Sequence, residues 1–430
     1  MEQVFVQDLK DHLDQEVLLK GWVYNLRSSG KIMFLQFRDG TSVTQVVVSQ
    51  DEVDEKVWSK AQKITLESSV IIKGRVTKHP KKEEYEVQLT GLTIVQISAE
   101  YPIGKKEHGP DFLLSNRHLW LRSPRQWAIA RVRNVVINAI YEYLNGENFI
   151  KIDAPILTPN ACEGTTTLFE LDYFDQGKAY LTQSGQLYIE AAIFSVGRCF
   201  DFGPVFRAEK SKTRRHLTEF WMMDAEAAYV EHEQNMKIQE GNIRYIIRKV
   251  LAECELELDI LERDKEALRK ADNDFKVMSY EETIAHLQKN GSDIKYGEDL
   301  GADDETILTS NSEVPIFVDR WPKNIKAFYM KINPENPELV LNNDLIAPEG
   351  YGEIIGGSQR EDDYDLLLSR MEKEKLPIAD YQWYLDLRKY GSVPHSGYGI
   401  GLERMVGWMC GTKHIRETIP FPRMISRIYP

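Results

Sequence analysis

Over the first hundred residues, apolar and polar positions alternate in short stretches separated by turn-forming residues. A period of two is typical of strands that bury one face, and it predicts five such strands. They are Val17–Val23, Ile32–Phe37, Val43–Val48, Val70–Val76 and Tyr85–Ile97. Residues 51–67, in the gap after the third strand, have helical composition. This order predicts an all-β OB-fold barrel over residues 1–98, a fold that binds single-stranded nucleic acid.

The pattern changes after the barrel, where prolines and glycines predict a connector over residues 99–121. A helical period then begins at Pro124 and runs to about Leu144. A short strand, Phe149–Ile152, follows and stops before Pro155.

The remaining chain predicts helices and strands in separate blocks. Residues 229–290 read as a helix-rich insertion. The later strands and the last helix are predicted at Pro315–Val318, Ala327–Lys331, Glu338–Ile346, Gly352–Ile355 and Leu402–Met409. Separate blocks favour an α+β domain over residues 122–430, built on an antiparallel sheet flanked by helices.

Composition narrows the class of protein. The 430 residues are 42% hydrophobic and 28% charged, as in globular proteins of two or three domains. The N-terminus has no signal-peptide pattern and no apolar run is long enough to cross a bilayer, so we expect a cytoplasmic protein with no membrane partner. Four cysteines lie far apart without a CxxC pair, which argues against zinc and disulfides. The net charge of −13 weakens a nucleic-acid function, although a local basic face can still hold phosphates.

Such a basic face is predicted in the segment Gly203–Trp221, where five cations fall within nine residues between apolar stretches. The cations are Arg207, Lys210, Lys212, Arg214 and Arg215. A loop of this charge between strands is costly unless an anion lies in it, and a triphosphate is the obvious candidate. Phe220 adds an aromatic face on which a purine can stack. Taken alone, the segment is also compatible with a solvent-exposed hairpin.

Two later stretches strengthen the nucleotide hypothesis. In the first, three glycines that let backbone approach a ligand come just before Arg404, at the start of a helix. In the second, Asp344 and Glu353 offer the hard oxygen ligands that suit Mg²⁺ bridging polyphosphate oxygens. Arg360 follows a Gly-Gly-Ser bend that would direct it into a pocket.

Together these stretches resemble the three signature motifs of the class II aminoacyl-tRNA synthetases. The helix and strand ending at Pro155 resemble the first motif, Phe206–Phe220 the second and Gly401–Arg404 the third. The Asp/Asn/Lys subgroup of that family carries an N-terminal OB-fold that binds the tRNA anticodon, which matches residues 1–98. The resemblance covers essentially the whole chain. It implies an enzyme that activates an amino acid with ATP and transfers it to tRNA.

The resemblance also implies roles for single residues. The implied ATP-binding residues are Arg207, Glu209, Arg215, His216, Phe220, Glu353, Ser358 and Arg404, of which Arg207, Glu353 and Arg404 are catalytic. The implied amino-acid-binding residues are Glu163, Gln186, Glu209 and Arg360. Asp344 and Glu353 would bind Mg²⁺. Positioning and charge stabilisation then supply the rate, without a covalent enzyme intermediate.

Two further expectations rest on the resemblance. In the barrel, Phe34 matches the aromatic on which relatives stack an anticodon base, with Arg27 and Gln45 as polar neighbours. Without the resemblance, a Phe in a strand is more often a core residue. The first-motif helix and strand resemble the dimer interface of the family, so a two-fold homodimer is predicted.

The choice of amino acid lies between two near isosteres, asparagine and aspartate, which only hydrogen-bond polarity and charge can separate. Arg360 can donate to the side-chain oxygen of either. Aspartyl enzymes of the subgroup typically add a lysine at the position that Ile189 occupies here. Glu190 and Glu209 can accept from an amide while repelling a carboxylate, and Glu209 is the first choice. The sequence therefore favours asparagine and tRNA(Asn) as substrates.

Three other functions stay open. An aspartyl enzyme, which could charge two tRNAs, is the nearest rival. A synthetase-like asparagine synthetase shares the catalytic fold but needs no tRNA-reading barrel, so residues 1–98 count against it. A non-catalytic RNA-binding relative is opposed by Arg207, Arg404, Asp344 and Glu353, which are all intact.

Overall fold

The structure is a computed structural model that describes residues 2–104, 106–162, 167–210 and 213–430. The chain divides into two compact units, with the division between Leu114 and Ser115. Within the described ranges, no helix combines the length and the apolar character that a bilayer span requires.

The first unit contains a closed five-stranded barrel in the order β1-β2-β3-β5-β4. Its elements are β1 Glu16–Ser29, β2 Ile32–Arg38, β3 Val43–Ser49, α1 Glu55–Ala61, β4 Ser68–Lys78 and β5 Tyr85–Gln96. Leu35, Phe37 and Val46 are completely buried, whereas the alternate positions Phe34 and Gln45 are only half-buried. The predicted alternation thus separates the barrel core from its outer face, and the predicted OB-fold is confirmed.

The second unit is built on an eight-stranded sheet in the order β12-β13-β14-β15-β16-β11-β10-β6, with a small sheet in the order β7-β9-β8. Its strands are β6 Ile150–Lys151, β7 Leu157–Thr158, β8 Glu170–Asp172, β9 Lys178–Leu181, β10 Arg198–Phe206, β11 Glu219–Ala228, β12 Lys276–Ser279, β13 Ile316–Asp319, β14 Asn342–Ala347, β15 Gly352–Gln359 and β16 His395–Gly401. Pairing is antiparallel from β13 to β10, as predicted, and parallel at both edge strands, so the sheet as a whole is mixed.

Twelve helices follow the barrel in the described part of the chain. They are α2 Pro110–Ser115, α3 Arg117–Trp120, α4 Pro124–Gly146, α5 Gln186–Val196, α6 His232–Glu253, α7 Glu255–Ile260, α8 Lys265–Ala271, α9 Tyr280–Lys289, α10 Ala302–Thr309, α11 Tyr364–Lys373, α12 Gln382–Asp386 and α13 Leu402–Cys410. Helix α4 starts where the sequence predicts, because Ser123 caps it by accepting from the Gln126 N–H and Pro124 needs no hydrogen-bond acceptor in the first turn.

One face of the large sheet packs against α4, α6 and α13 in an apolar core. Val136 of α4, Ile246 of α6 and Val406 of α13 are completely buried there together with Phe200 and Met223 of the sheet. Since side chains alternate along a strand, the positions between these core residues point to the opposite face. That opposite face carries the polar groups of the candidate site.

Some predicted elements differ from the structure. The strand predicted at Ala327–Lys331 is a turn segment with a single bridge at Met330, because Arg370 binds the carbonyl oxygens of Ala327 and Met330 and takes the place of a sheet partner. Strand β12 interrupts the helices of residues 229–290 and adds an edge to the sheet. A short apolar run cannot by itself distinguish a strand from a buried turn.

Candidate nucleotide and amino-acid site

Two carboxylates lie on the polar face of the sheet, and glycines on the neighbouring strand leave room for them because they have no side chain. Asp224 and Glu226 lie on β11, opposite Gly399 and Gly397 of β16. A Cβ at Gly399 would lie 2.7 Å from Asp224 Oδ1, and one at Gly397 would lie 2.1 Å from Glu226 Oε1. The sequence predicts that these glycines admit a ligand. In the structure, the space beside these glycines is occupied by the two carboxylates of the neighbouring strand.

Arg360 reaches this floor and forms a buried ion pair with Glu226. Its Nε donates to Glu226 Oε1 at 2.9 Å, a second N–H donates to the same oxygen, and Nη1 donates to Ser358 Oγ at 2.6 Å. The pair is buried, with 4% and 0% of the two side chains exposed. The other oxygen, Glu226 Oε2, is buried and has no hydrogen-bond partner among the described residues. An unpartnered buried carboxylate oxygen is costly unless a ligand supplies the donor.

Glu190 is the centre of a second buried network beneath α5. Its carboxylate accepts from Tyr384 OH at 2.7 Å, from Arg388 Nη2 at 2.8 Å and from Gln186 Nε2 at 3.1 Å, and lies 3.1 Å from His395 Nε2. Burial opposes ionisation, but Arg388 and His395 outweigh it and hold the pKa of Glu190 well below its usual range. Both oxygens of Glu190 are therefore engaged within the protein, Oε1 by Gln186 and Oε2 by Tyr384, Arg388 and His395.

The basic segment between β10 and β11 is anchored through Arg215. This guanidinium binds the carboxylate of Glu305, the hydroxyl of Thr306 at 3.3 Å and the carbonyl oxygen of Gly350 at 2.6 Å. Glu305 is not among the residues predicted from the sequence, because only the fold brings α10 beside this loop. Burial, aided by the charge of Glu353, raises the pKa of Glu305 to about 7.

Arg404 lies in the first turn of α13 and reaches β15. Its Nη1 donates to the carbonyl oxygen of Glu353 at 2.8 Å and to Glu353 Oε2 at 3.1 Å. The Glu353 N–H in turn donates to Glu305 Oε1 at 3.4 Å. Partial burial and the charge of Arg404 lower the pKa of His216, so this side chain is neutral near pH 7. The structure thus brings Arg215, His216, Glu353 and Arg404 together, as the sequence predicts.

Phe220 is half-buried on β11, and its neighbour Trp221 ties that strand to α13. The Trp221 N–H donates to Glu403 Oε2 at 2.9 Å. Glu403 is completely buried and lies 2.8 Å from Arg133 of α4. Because Glu403 directly precedes Arg404, this contact couples the positions of Phe220 and Arg404. The predicted Arg207 continues the same strand pair, with its N–H donating to the Thr218 carbonyl at 3.0 Å.

Asp344 and Glu353 flank the Gly356 position, where a Cβ would lie 3.4 Å from Glu353 Oε1 and 3.9 Å from Asp344 Oδ1. Lys326 donates to Asp344 Oδ2 at 2.7 Å and was not predicted from the sequence. Burial raises the pKa of Asp344, Lys326 opposes this, and the charge of Glu353 adds to it. Among the described residues, no group of three or more acidic, His or Cys side chains could hold a metal alone.

Glu209 and Glu163 are the other two amino-acid ligands that the sequence predicts. Glu209 Oε2 is buried without a hydrogen-bond partner among the described residues, so it too has an oxygen available. Glu163 lies outside the residues that the structure describes.

The predicted anticodon residues share the outer face of the barrel. The Arg27 guanidinium lies 4.6 Å from the centre of the Phe34 ring, and the two residues are partners between β1 and β2. Gln45 donates to Glu86 Oε2 at 2.9 Å and its Oε1 lies 3.5 Å from the side-chain nitrogen of Gln36. Phe34 is therefore not a core residue. It is an accessible aromatic surface beside groups that can donate to and accept from a base edge.

Comparisons with known proteins agree with this arrangement. The family profile described as "tRNA synthetases class II (D, K and N)" matches residues 109–425, and that described as "OB-fold nucleic acid binding domain" matches residues 17–95. An asparagine–tRNA ligase of Pelotomaculum thermopropionicum is 52% identical, with 100% of both chains covered. The structure of asparaginyl-tRNA synthetase from Pyrococcus horikoshii complexed with asparaginyl-adenylate is 45% identical, with a TM-score of 0.96 and 100% of both chains covered. The asparaginyl-tRNA synthetase structure from Entamoeba histolytica with asparaginyl-adenylate is 32% identical, with a TM-score of 0.89 and 97% of both chains covered.

Proposed function

We propose that this chain ligates asparagine to tRNA(Asn) with ATP. It belongs to the class II aminoacyl-tRNA synthetases of the aspartate, lysine and asparagine group. The observation that carries this proposal is the buried Arg360–Glu226 pair, which offers N–H donors on one side and an unpartnered oxygen on the other. A side-chain amide has a carbonyl oxygen and an NH₂ group, and this pair matches both.

In the first step, an oxygen of the asparagine α-carboxylate attacks the α-phosphorus of ATP. A new oxygen–phosphorus bond forms, the bond to the β-phosphate oxygen breaks, and pyrophosphate leaves with that electron pair. Arg207 contacts the α-phosphate and the attacking carboxylate, where charge accumulates. Arg215, His216 and Arg404 hold the outer phosphates, while Phe220 and Arg404 cover the two faces of adenine. Glu209 and Ser358 complete the nucleotide contacts.

In the second step, the terminal 3′-hydroxyl of tRNA attacks the carbonyl carbon of asparaginyl-adenylate. The mixed anhydride breaks, and AMP and one proton are released. No side chain becomes covalently bonded, so the protein contributes by positioning both partners. Gln186 and Glu163 hold the ammonium group of the amino acid in this proposal.

Asp344 and Glu353 fit a Mg²⁺ ion that takes its remaining ligands from phosphates and water. Two carboxylates that flank one glycine repel each other's charge, and a cation between them would relieve that repulsion. Bound there, the ion would neutralise charge on the triphosphate oxygens.

Selection of asparagine over aspartate is assigned to Glu226, beside the arginine that binds the side-chain oxygen. Burial raises the pKa of Glu226 to about 8, and the charge of Arg360 opposes this. The ionised carboxylate accepts an N–H from an amide at Oε2 and repels the second oxygen of a carboxylate substrate. Glu209 is the acceptor predicted from the sequence and remains an alternative, since its Oε2 is also unpartnered among the described residues.

An ATP–pyrophosphate exchange assay with each amino acid tests the proposal. We expect exchange with asparagine and little with aspartate. Exchange with aspartate alone would instead favour an aspartyl-tRNA synthetase, the second candidate, for which Arg360 is equally suited. Charging of tRNA(Asn) and tRNA(Asp) transcripts then shows whether the enzyme is selective or charges both.

The barrel is proposed to read the anticodon through Phe34, Arg27 and Gln45. Its outer face supports this with an aromatic ring for stacking and a Gln–Glu pair for hydrogen bonding. Phe34→Ala should raise the KM for tRNA and leave amino-acid activation unchanged. A matched Tyr85→Ala substitution on the same barrel controls for loss of stability.

The protein is also proposed to act in the cytoplasm as a homodimer. Edge strand β6 leaves Ile150 49% exposed, and Ile156 and Leu157 are each 42% exposed just after it. A second copy could cover these apolar side chains and the free edge of the sheet. Analytical ultracentrifugation tests this, since an active monomer at assay concentration would contradict it.

A further inference from the structure

A cleft open to solvent lies between the loop after α13 and Arg214 and Arg215, which come before β11. The two segments are joined by a hydrogen bond from the Ile415 N–H to the carbonyl oxygen of Arg214, 3.1 Å long. Arg215 and Arg404, the proposed ligands of the outer phosphates, form one wall of the cleft. The cleft therefore shares two side chains with the proposed site of the outer phosphates.

The cleft is lined by an excess of basic side chains. These are Arg214, Arg215, Arg404 and Lys413. The two carboxylates in the lining are already paired with arginines that do not line the cleft. Glu349 is paired with Arg263 at 2.7 and 2.8 Å, and Glu403 lies 2.8 Å from Arg133.

Two of the basic groups are available to an incoming anion. Arg214 and Lys413 are exposed and form no ion pair with any described residue, whereas Arg215 and Arg404 are paired with Glu305 and Glu353. The charges of Arg214 and Arg404 help to lower the pKa of Arg215, so these cations repel one another. An anion placed among like charges lowers that repulsion.

A buried hydroxyl in the lining also lacks a partner. Thr412 is 5% exposed, and its Oγ1 has no hydrogen-bond partner among the described residues. Buried polar groups are nearly always satisfied, so an unpartnered donor in a basic cleft points to an acceptor ligand. Phosphate oxygens accept from hydroxyl, guanidinium and ammonium groups alike.

We propose that this cleft binds inorganic pyrophosphate as it leaves the nucleotide site. The proposal rests on the proposed function, which generates pyrophosphate next to Arg215 and Arg404. The departing anion stays in contact with these two arginines while Lys413, Arg214 and Thr412 take up its outer oxygens. A protein with a net charge of −13 repels a polyanion over most of its surface, and a basic exit cleft removes that barrier.

The test is ATP–pyrophosphate exchange with saturating ATP and asparagine and a varied pyrophosphate concentration. We expect Arg214→Ala/Lys413→Ala to raise the KM for pyrophosphate about tenfold and Thr412→Val about threefold, as charged contacts exceed neutral ones. The KM values for ATP and asparagine should change by less than about twofold, because no residue assigned to either substrate is altered. Lys289→Ala removes a charge at an exposed position of α9 outside the cleft and should change none of these constants.

The outcomes separate this proposal from the one on which it rests. If the unaltered protein catalyses no exchange with asparagine, the proposed function fails. If exchange is normal but the double variant and Lys289→Ala have equal KM values for pyrophosphate, the cleft proposal alone is overturned. A raised KM for tRNA with unchanged pyrophosphate binding also overturns it and assigns the cleft to tRNA phosphates. Isothermal titration of the free enzyme with sodium pyrophosphate gives an independent reading, in which the double variant must bind more weakly.

Discussion

The two ends of the candidate site are built in opposite ways. At the amino-acid end, the Glu190–Arg388 pair has 0% of either side chain exposed and Arg360–Glu226 has 4% and 0%. At the nucleotide end, the Arg215–Glu305 pair has 11% and 12% exposed and the Arg404–Glu353 pair has 27% and 38%. The first end has few alternative arrangements once folded. At the second end, the arginines form ion pairs with carboxylates, and a triphosphate can replace those carboxylates as the partner.

This difference indicates a division of labour. Selecting an amide over an acid needs fixed donors and acceptors, since a mobile side chain would adapt to either substrate. Holding a triphosphate and then releasing pyrophosphate needs groups that can exchange partners. The same charged residue types thus serve recognition where they are buried and turnover where they are more exposed.

The largest effect is expected from breaking the buried network. Arg388→Met leaves the Glu190 carboxylate buried with its main counter-charge removed, and the free energy of unfolding should fall by about 3–5 kcal/mol. Urea denaturation measures this. Adding Glu190→Gln should recover much of the loss, because no buried charge is then left unpaired. A loss below about 1 kcal/mol for Arg388→Met would place this pair with ordinary surface ion pairs.

At the nucleotide end, substitution should reduce activity without reducing stability. Arg404→Ala removes a group that stabilises charge on the phosphates, and kcat/KM for ATP should fall by about 10²–10³-fold. The free energy of unfolding should change by less than about 1 kcal/mol, since the pair is partly solvated. Arg269→Ala, at an exposed position of α8, is the matched control and should leave both quantities unchanged. A large loss of stability would show that the two ends are not built differently.

A third substitution separates the two candidate amide acceptors. Glu226→Gln keeps the shape but adds an NH₂ that can donate to a carboxylate, so the preference for asparagine over aspartate should fall about 10–100-fold. Exchange kinetics with both amino acids measure the ratio. Glu209→Gln is the companion variant, and a larger effect there would restore the acceptor that the sequence predicts.

A pH dependence of stability is also expected at the nucleotide end. Glu305 has a pKa of about 7 in the folded protein, above the value of about 4.3 in unfolded chains. The folded state therefore binds more protons between these two pH values, and stability falls as the pH rises through this window, by at most about 1.4 kcal/mol per pH unit. Glu305→Gln should flatten the profile of unfolding free energy between pH 5 and 7. An unchanged profile would mean that other groups dominate the titration.

The barrel strands and the ends of α4 and α13 were predictable because each depends on local signals, such as alternation, the Ser123 cap and the glycines before Arg404. The false strand at Ala327–Lys331 and the edge strand β12 show where that information ends. Both depend on partners distant in sequence, namely Arg370 for the first and β13 for the second.

By itself the sequence determined the barrel and the α+β class, because strand period and the separate blocks of helices and strands carry this information locally. The residues proposed to contact the nucleotide came from the resemblance to the family. Only the tertiary structure decided which carboxylate lies beside Arg360. Glu226 comes from a strand more than a hundred residues earlier, and no pattern around it distinguishes it from Glu190 or Glu209. In the folded protein, Glu190 is held in a buried hydrogen-bond network, whereas one oxygen of Glu226 has no partner among the described residues. Pairing between distant strands, which local residue preferences do not encode, makes that choice.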